Sequence, residues 1–426
     1  MAIKDVFGEA RPTLPLRDGG NIVCGNATRL DWEAVCPKEE EAEIYILGNP
    51  PYLGSSMQSK GQKEDMFTTF TGFSGYKKLD YIACWFLHGA LYIRNTKSQL
   101  AFVSTNSICQ GEQVSIIWPY IFSLDLEIGF AHQSFKWINN AKGNAGITCV
   151  VVGIRNRAES SRLLFSEGIS RSIKNISPYL TNNATTIVNK RSAPIAVSHP
   201  MNSGIKPTDG GHLILDEDEL NTLLSNSTQA QQFVRKYVGS DEFINGKNRY
   251  CLWIEDNNLE LAKTIASINE RIENVRSFRL RSKKKATREK ASDPHRFAEA
   301  RFNQYHSLIT PCVSSEQREY IPMGFVDDET VVSNLAFSIH NAPPHTFAII
   351  SSRIHMTWIR AVAGRLETRI RYSSSLCYNT FPFPPISDAK KETLEEHVFN
   401  ILEEREAHPE KTLAQLYDPD KMPDGL

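Results

Sequence analysis

The sequence predicts an open α/β sheet at its N-terminal end, then a mixed α+β region, then a C-terminal helix. Over the first 155 residues, short apolar runs alternate with stretches of helical apolar spacing, as expected where strands are joined through helices. Beyond about residue 160 the texture changes to short strands, loops and one long charged helix. Residues 387–405 carry a single amphipathic helical pattern with Ser387 placed to cap it.

The elements can be taken in order. Residues 21–24 form a short apolar run ending at Gly25-Asn26, and residues 43–47 form another ending at Gly48-Asn49-Pro50-Pro51; both read as strands. Residues 80–94 place Ile82, Trp85, Phe86, Leu87, Ala90 and Ile93 at helical spacing. Residues 100–104 read as a strand, 116–122 as a helix, and 126–130 and 147–154 as strands, the last a β-branched run suited to a buried strand. Residues 175–212, rich in Asn, Pro, Ser and Thr, read as an irregular connector. The expected division is a sheet domain over 1–158, a connector over 159–212, a second domain over 213–385 and a helical segment over 386–426.

Composition narrows the function classes. The chain is 41% hydrophobic and 23% charged, ordinary for a globular protein, and its net charge of −1 carries no global signal for nucleic acid. The eight cysteines at 24, 36, 84, 109, 149, 251, 312 and 377 form no C-x-x-C pair and no zinc set. They read as reduced thiols, and no metal is expected. The N-terminus has no apolar signal region, and the longest apolar stretches, 81–93 and 146–154, are too short to span a bilayer. A cytoplasmic protein with no membrane partner is expected.

The strongest chemical signal is Asn49-Pro50-Pro51-Tyr52 after a strand, since open α/β sheets bind ligands beyond the carboxyl ends of their strands. One reading is a rigid turn, with two prolines fixing φ. The other is an acceptor pair. The exocyclic N6 of adenine is a poor nucleophile because its lone pair is delocalised into the ring. The Asn49 side-chain carbonyl and the Pro50 backbone carbonyl would accept its two hydrogens, drawing the nitrogen toward tetrahedral geometry. Tyr52 would stack on the base, which must leave the duplex to arrive there.

Neighbouring segments fit the second reading. Residues 22–32 (IVCGNATRLDW), Leu79-Asp80-Tyr81 with the helix after it, 100–114 (LAFVSTNSICQGEQV) and 135–153 (FKWINNAKGNAGITCVVVG) resemble, in order, motifs of the amino-methyltransferases. The set resembles the MmeI-like (type IIL) restriction–modification adenine methyltransferases, through 11–16 (RPTLPL), 210–215 (GGHLIL), 242–253 (EFINGKNRYCLW), 314–322 (SSEQREYIP), 364–373 (GRLETRIRYS) and 378–384 (YNTFPFP). The resemblance implies a class I (Rossmann-like) methyltransferase sheet followed by an α+β target-recognition domain. It implies S-adenosylmethionine as methyl donor, with Asn26 approaching its adenine and Asn49 beside it, and duplex DNA as partner. It also implies a stacking ring from Phe135, with Trp137 second, and a prokaryotic source.

The resemblance is incomplete. A class I enzyme holds its donor on a glycine-rich loop after the first strand. Asp18-Gly19-Gly20, Asp209-Gly210-Gly211 and residues 143–146 are the glycine clusters near the right size, and none follows a long apolar strand and opens a helix. No nuclease carboxylate–lysine core is evident, and the C-terminus stops where family members continue. The expectation is an incomplete sheet with an unpaired edge, and a fragment or split protein whose separate partner chain carries the missing donor-binding half. A catalytically inactive DNA-binding specificity module is the alternative.

Two features address DNA. Residues 271–290 carry nine Lys or Arg against two Glu, which suits phosphate contact through Lys283, Lys284 and Lys285, or a solvated helix face. Glu367, Arg369 and Arg371 alternate, so in one strand they would share a face. In the family this stretch resembles one that contacts bases, with Ser314, Ser315 and Arg318 as further readers; a surface ion-pair ladder is the other reading.

Overall fold

A computed structural model describes residues 20–39, 42–136, 148–182, 186–196, 199–299 and 305–426. The chain divides into two compact units, one formed by 1–108, 116–137 and 149–186, the other by 109–115, 138–148 and 187–426. The segments 11–16 and 143–146 and Trp137 lie outside the described residues.

Among the described residues the first unit is built on a six-stranded sheet. Its strands are β1 (Tyr45–Gly48), β2 (Gln99–Thr105), β3 (Leu126–Lys136), β4 (Thr148–Asn156), β5 (Arg162–Ser166) and β6 (Ile169–Ile173), in spatial order β1-β2-β4-β3-β5-β6. Strands β1 and β2 are parallel, and β4 runs antiparallel to β2 from Gln99↔Arg155 to Thr105↔Cys149. The β5–β6 hairpin turns at Glu167 (φ 51°) and Gly168 (φ 77°), the positive-φ pair that matches strand twist in a two-residue turn.

Three helices of this unit matter here: α1 (Trp32–Val35), α2 (Lys60–Thr69) and α3 (Ala83–Ile93). Helix α2 starts at Ser59 with a capping box to Gln62. Helix α3 is apolar nearly all round and buries eight of its eleven residues, as a helix enclosed in a core must. It passes close to the sheet at Gly89, where a Cβ would meet Leu100 Cδ2 at 2.7 Å. The Phe86 ring packs edge-on to Phe102 at 5.4 Å.

The expected strand at 21–24 does not form. The segment is irregular, and Ile22 is 92% exposed. Among the described residues no strand lies beside it, and a lone strand has no ladder to complete. Among the described residues strand β1 lies at a sheet edge, with Tyr45 58% and Leu47 74% exposed. Parallel strands are normally covered on both faces, so this edge departs from the usual pattern, in line with the unpaired edge expected from the sequence.

Among the described residues the second unit holds three smaller sheets. The first comprises β8 (Ile214–Leu215), β9 (Val234–Val238), β10 (Tyr250–Leu252) and β14 (Val331–Val332); the second comprises β7 (Met201–Ser203), β11 (Ser307–Pro311), β13 (Gly324–Val326) and β15 (Ala336–His340); the third comprises β12 (Val313–Ser314), β16 (Gly364–Leu366) and β17 (Arg369–Arg371). The C-terminal helix Asp388–Glu406 packs Val398 into the core shared by Leu308, Phe347, Ile359 and Tyr378. The part of 175–212 read as irregular thus supplies one strand, β7, paired to β15 through Phe337↔Ser203 and Ile339↔Met201.

The charged stretch 271–290 is not one helix. Helix Ala266–Leu280 ends, and a short helix, Lys285–Glu289, follows a turn. Arg279 explains the break. Its fully buried guanidinium donates to the carbonyls of Pro207, Thr208, Lys290, Asp293 and Arg296, at 2.6 to 3.1 Å. Five carbonyl acceptors satisfy the five N–H groups, and the chain after Leu280 must fold back to supply three of them.

Candidate functional site

The tetrad sits at the carboxyl end of β1, where Gly48 pairs with Phe102. Asn49 is exposed, its side chain makes no hydrogen bond to a described residue, and Pro50 is buried. Tyr52 is half-buried; burial raises its phenol, with the Cys149 thiol and the Asp80 carboxyl nearby adding to the rise. Cys149, the second residue of β4, lies opposite Thr105, so the ends of β1 and β2 and the start of β4 meet at this end of the sheet.

A trough of about 770 Å³ runs along β1 and reaches Asn49 and Pro50. Its walls are mostly apolar, including Val23, Leu30, Trp32, Leu47, Trp85 and Phe102. Asn49 therefore borders an open space rather than closing a turn.

Asn26 lies at the start of a tight turn. Its Oδ1 accepts from the Thr28 N–H at 3.0 Å and hydroxyl at 2.8 Å, and its Nδ2 donates to Asp65 Oδ2 at 3.0 Å. The carboxamide oxygen thus holds its own loop, and the nitrogen keeps a second hydrogen. Asp65 was not evident in the sequence as a site residue. It is buried, with its Oδ1 taking Arg29 Nε at 2.6 Å and its Oδ2 also taking the Tyr81 hydroxyl at 2.7 Å. Burial pushes this carboxyl up, but the bonds from Tyr81, Arg29 and Asn26 outweigh it and hold it below the usual range. Burial and the same bond push the Tyr81 phenol up to about 12. Phe135 is 36% exposed near the end of β3, the neighbour of β4 in the sheet.

In the second unit, three of the expected base readers share the small third sheet. Strands β16 and β17 form a hairpin, and β12 joins it through Val313↔Arg371 and Ser314↔Ile370. The expectation that Glu367, Arg369 and Arg371 share one strand is therefore corrected: Glu367 lies between β16 and β17. Glu367 occupies the turn with φ 59° and ion-pairs Arg369 at 2.9 Å. Arg369 and Arg371 are exposed on one face while Ile370 is buried. Ser314 is only 2% exposed, and its hydroxyl has no partner among the described residues. Ser315 accepts from the Gln317 N–H at 3.3 Å. Arg318 is half-buried, and burial pushes its guanidinium down against the opposing pull of Asp418.

Lys283, Lys284 and Lys285 are exposed. Their stretch is less uniformly basic than its composition: Arg279 is consumed internally, and Arg271 binds Glu219 at 2.7 Å and two backbone carbonyls. The Asp209-Gly210-Gly211 cluster precedes β8 and is tied by the Leu213 N–H to Asp209 Oδ2 at 2.6 Å. It makes a turn and opens no helix. All eight cysteines are unpaired. Among the described residues no metal-binding cluster occurs, and no helix is long and apolar enough to cross a membrane.

An α/β sheet with Asn-Pro-Pro-Tyr beyond a parallel strand, followed by a separate mixed domain, defines the class: a DNA-methyltransferase domain followed by a recognition domain. The chain belongs to the MmeI family. Family models described as the MmeI DNA-methyltransferase domain, target recognition domain and C-terminal domain match residues 1–166, 182–385 and 386–426. It is 43% identical over 420 residues to DNA methyltransferase A of Bacillus subtilis (strain 168), covering 98% of this chain and 48% of that protein. It is similar to the solved structure of the type IIL restriction-modification enzyme MmeI in complex with DNA, at TM-score 0.90 and 39% identity, covering 100% of this chain and 57% of that one. The chain thus spans about half the length of each.

Proposed function

We propose that the chain is the acceptor-activating and DNA-reading part of a site-specific methyltransferase acting on N6 of adenine in duplex DNA. The observation that carries this reading is the exposed Asn49 side chain, with no hydrogen bond to a described residue, beside Pro50 at the rim of an open trough. Asn49 Oδ1 and the Pro50 carbonyl accept the two amino hydrogens of a flipped adenine and free its lone pair for in-line attack. Tyr52 stacks on the base, with Phe135, and Trp137 second, on its other face.

S-adenosylmethionine, when bound, supplies the electrophilic methyl group. The residues present fit one wall of its site: Asn26 keeps one amide hydrogen free for the donor purine, and Asn49 lies at the end of the trough. The other wall falls to a glycine-rich segment that pairs with β1, in the same polypeptide or in a separate chain. Arg369, Arg371 and Glu367 read base edges, assisted by Ser314, Ser315 and Arg318, and Lys283 to Lys285 meet phosphates. The system is a prokaryotic, cytoplasmic restriction–modification assembly.

The test is transfer of a labelled methyl group to unmethylated DNA, with the chain supplied with such a donor-binding segment. N6-methyladenine is the expected product, and Asn49→Ala should lower kcat by roughly 10²–10³-fold at unchanged DNA affinity. Label on cytosine overturns the adenine assignment. DNA binding without donor binding or transfer overturns the enzymatic reading and leaves a specificity module.

A further inference from the structure

The dipeptide Asp80-Tyr81, just before α3, reaches both loops of the candidate site. Asp80 is 5% exposed, and its Oδ1 accepts from the N–H of Leu53, the residue after Tyr52, at 2.7 Å. The same oxygen accepts from the Ile82 N–H at 3.2 Å. The Tyr81 N–H returns a bond to the Leu53 carbonyl at 3.0 Å, and Gln58 Nε2 bridges the carbonyls of Leu53 and Leu79 at 3.1 Å each. Leu53 is thus held by both backbone groups, which fixes where the tetrad loop leaves the sheet.

Tyr81, also 5% exposed, extends the other way. Its hydroxyl donates to Asp65, the carboxylate that also receives Asn26 and Arg29. Asp65 belongs to α2, the helix that follows the tetrad, so hydrogen bonds through Asp80, Tyr81 and Asp65 link the tetrad loop to the Asn26 turn.

We infer that Asp80 and Tyr81 are positioning residues that hold the Asn49–Tyr52 loop and the Asn26 turn in register with each other. What that register serves rests on the reading proposed above; the holding itself rests on the geometry. Neither residue touches the reacting atoms. They act through Leu53 and Asp65, and a catalytic constellation tolerates only small displacements of the groups so held.

Hydrogen exchange of the full chain, read by mass spectrometry, tests this without requiring activity. Asp80→Ser keeps a short acceptor able to cap α3 but too short to reach Leu53. It should speed exchange over residues 49–57 at least about tenfold while the rest of the sheet keeps its protection. Asp80→Asn retains the oxygen and should restore protection to within about threefold. Tyr81→Phe should loosen residues 26–30 and leave 49–57 unchanged. Wild-type exchange over 49–57 in Asp80→Ser overturns the inference, and so does loosening spread evenly over the unit, which would mark a residue of general stability only. In the donor-supplied assay, Asp80→Ser should lower kcat with KM for DNA held, and Asp80→Asn should rescue it. If the wild type transfers nothing, the functional reading fails while the exchange result still decides the positioning role.

Discussion

His355 shows how one buried residue sets a pH dependence. It is fully buried, its Nε2 meets the Tyr372 hydroxyl at 2.9 Å, and burial lowers its pKa from 6.5 to about 3. The folded state keeps the ring neutral while the unfolded chain protonates below about 6.5. The folded pKa is depressed, so this group contributes stability that is present above pH 6.5 and lost progressively as pH falls toward 3. At the acid end the loss is on the order of several kcal/mol. Thermal unfolding between pH 7 and 4 should show His355→Gln less acid-sensitive than wild type; equal acid slopes would refute this. The same scale shows what a sequence hides. Asn49 to Tyr52 were legible because two prolines and an aromatic ring are rare together, whereas Asp65 is one carboxylate among many until folding places Asn26, Arg29 and Tyr81 around it.

The β16–β17 hairpin presents Arg369 and Arg371 from a two-residue turn, with Ile370 anchoring the strand in the core. A fork fixed in this way suits bidentate readout of a base edge. Arg371→Ala should cost about 1–3 kcal/mol of specific DNA binding and relax selectivity at one base pair. Replacing Lys283, Lys284 and Lys285 together with Ala should weaken binding to every sequence alike and lower the salt slope by about 0.9 for each phosphate no longer neutralised. Binding titrations at several salt concentrations separate these effects. If Arg371→Ala also weakens all sequences equally, that arginine meets phosphate and the readout assignment fails. Alternation along 367–371 was visible in sequence, but the turn at Glu367 was not: it requires a positive φ from a residue that does not advertise one.

In the first unit, the edge of β1 is the feature with the widest consequence. Tyr45 and Leu47 are exposed on a parallel strand that borders an apolar trough. Leu47→Lys should leave the chain's own melting temperature within about 2 °C, since the side chain buries little. On the reading proposed above, it should weaken capture of a donor-binding segment at least about tenfold, measured by titration calorimetry with the matching part of a relative. Unchanged capture would show that the segment docks elsewhere. The sequence by itself determined the alternation of strands and helices, the place of Asn49-Pro50-Pro51-Tyr52 beyond a strand, and the family, because periodicity and rare local motifs survive without a third dimension. Only the tertiary structure decided that residues 21–24 stay irregular, that Arg279 faces five carbonyls instead of solvent, and that Asp80 and Tyr81 link two loops distant along the chain. Strand formation needs a partner, and the environment of a charge is set by what folds around it, so neither can be read from a residue's neighbours in sequence.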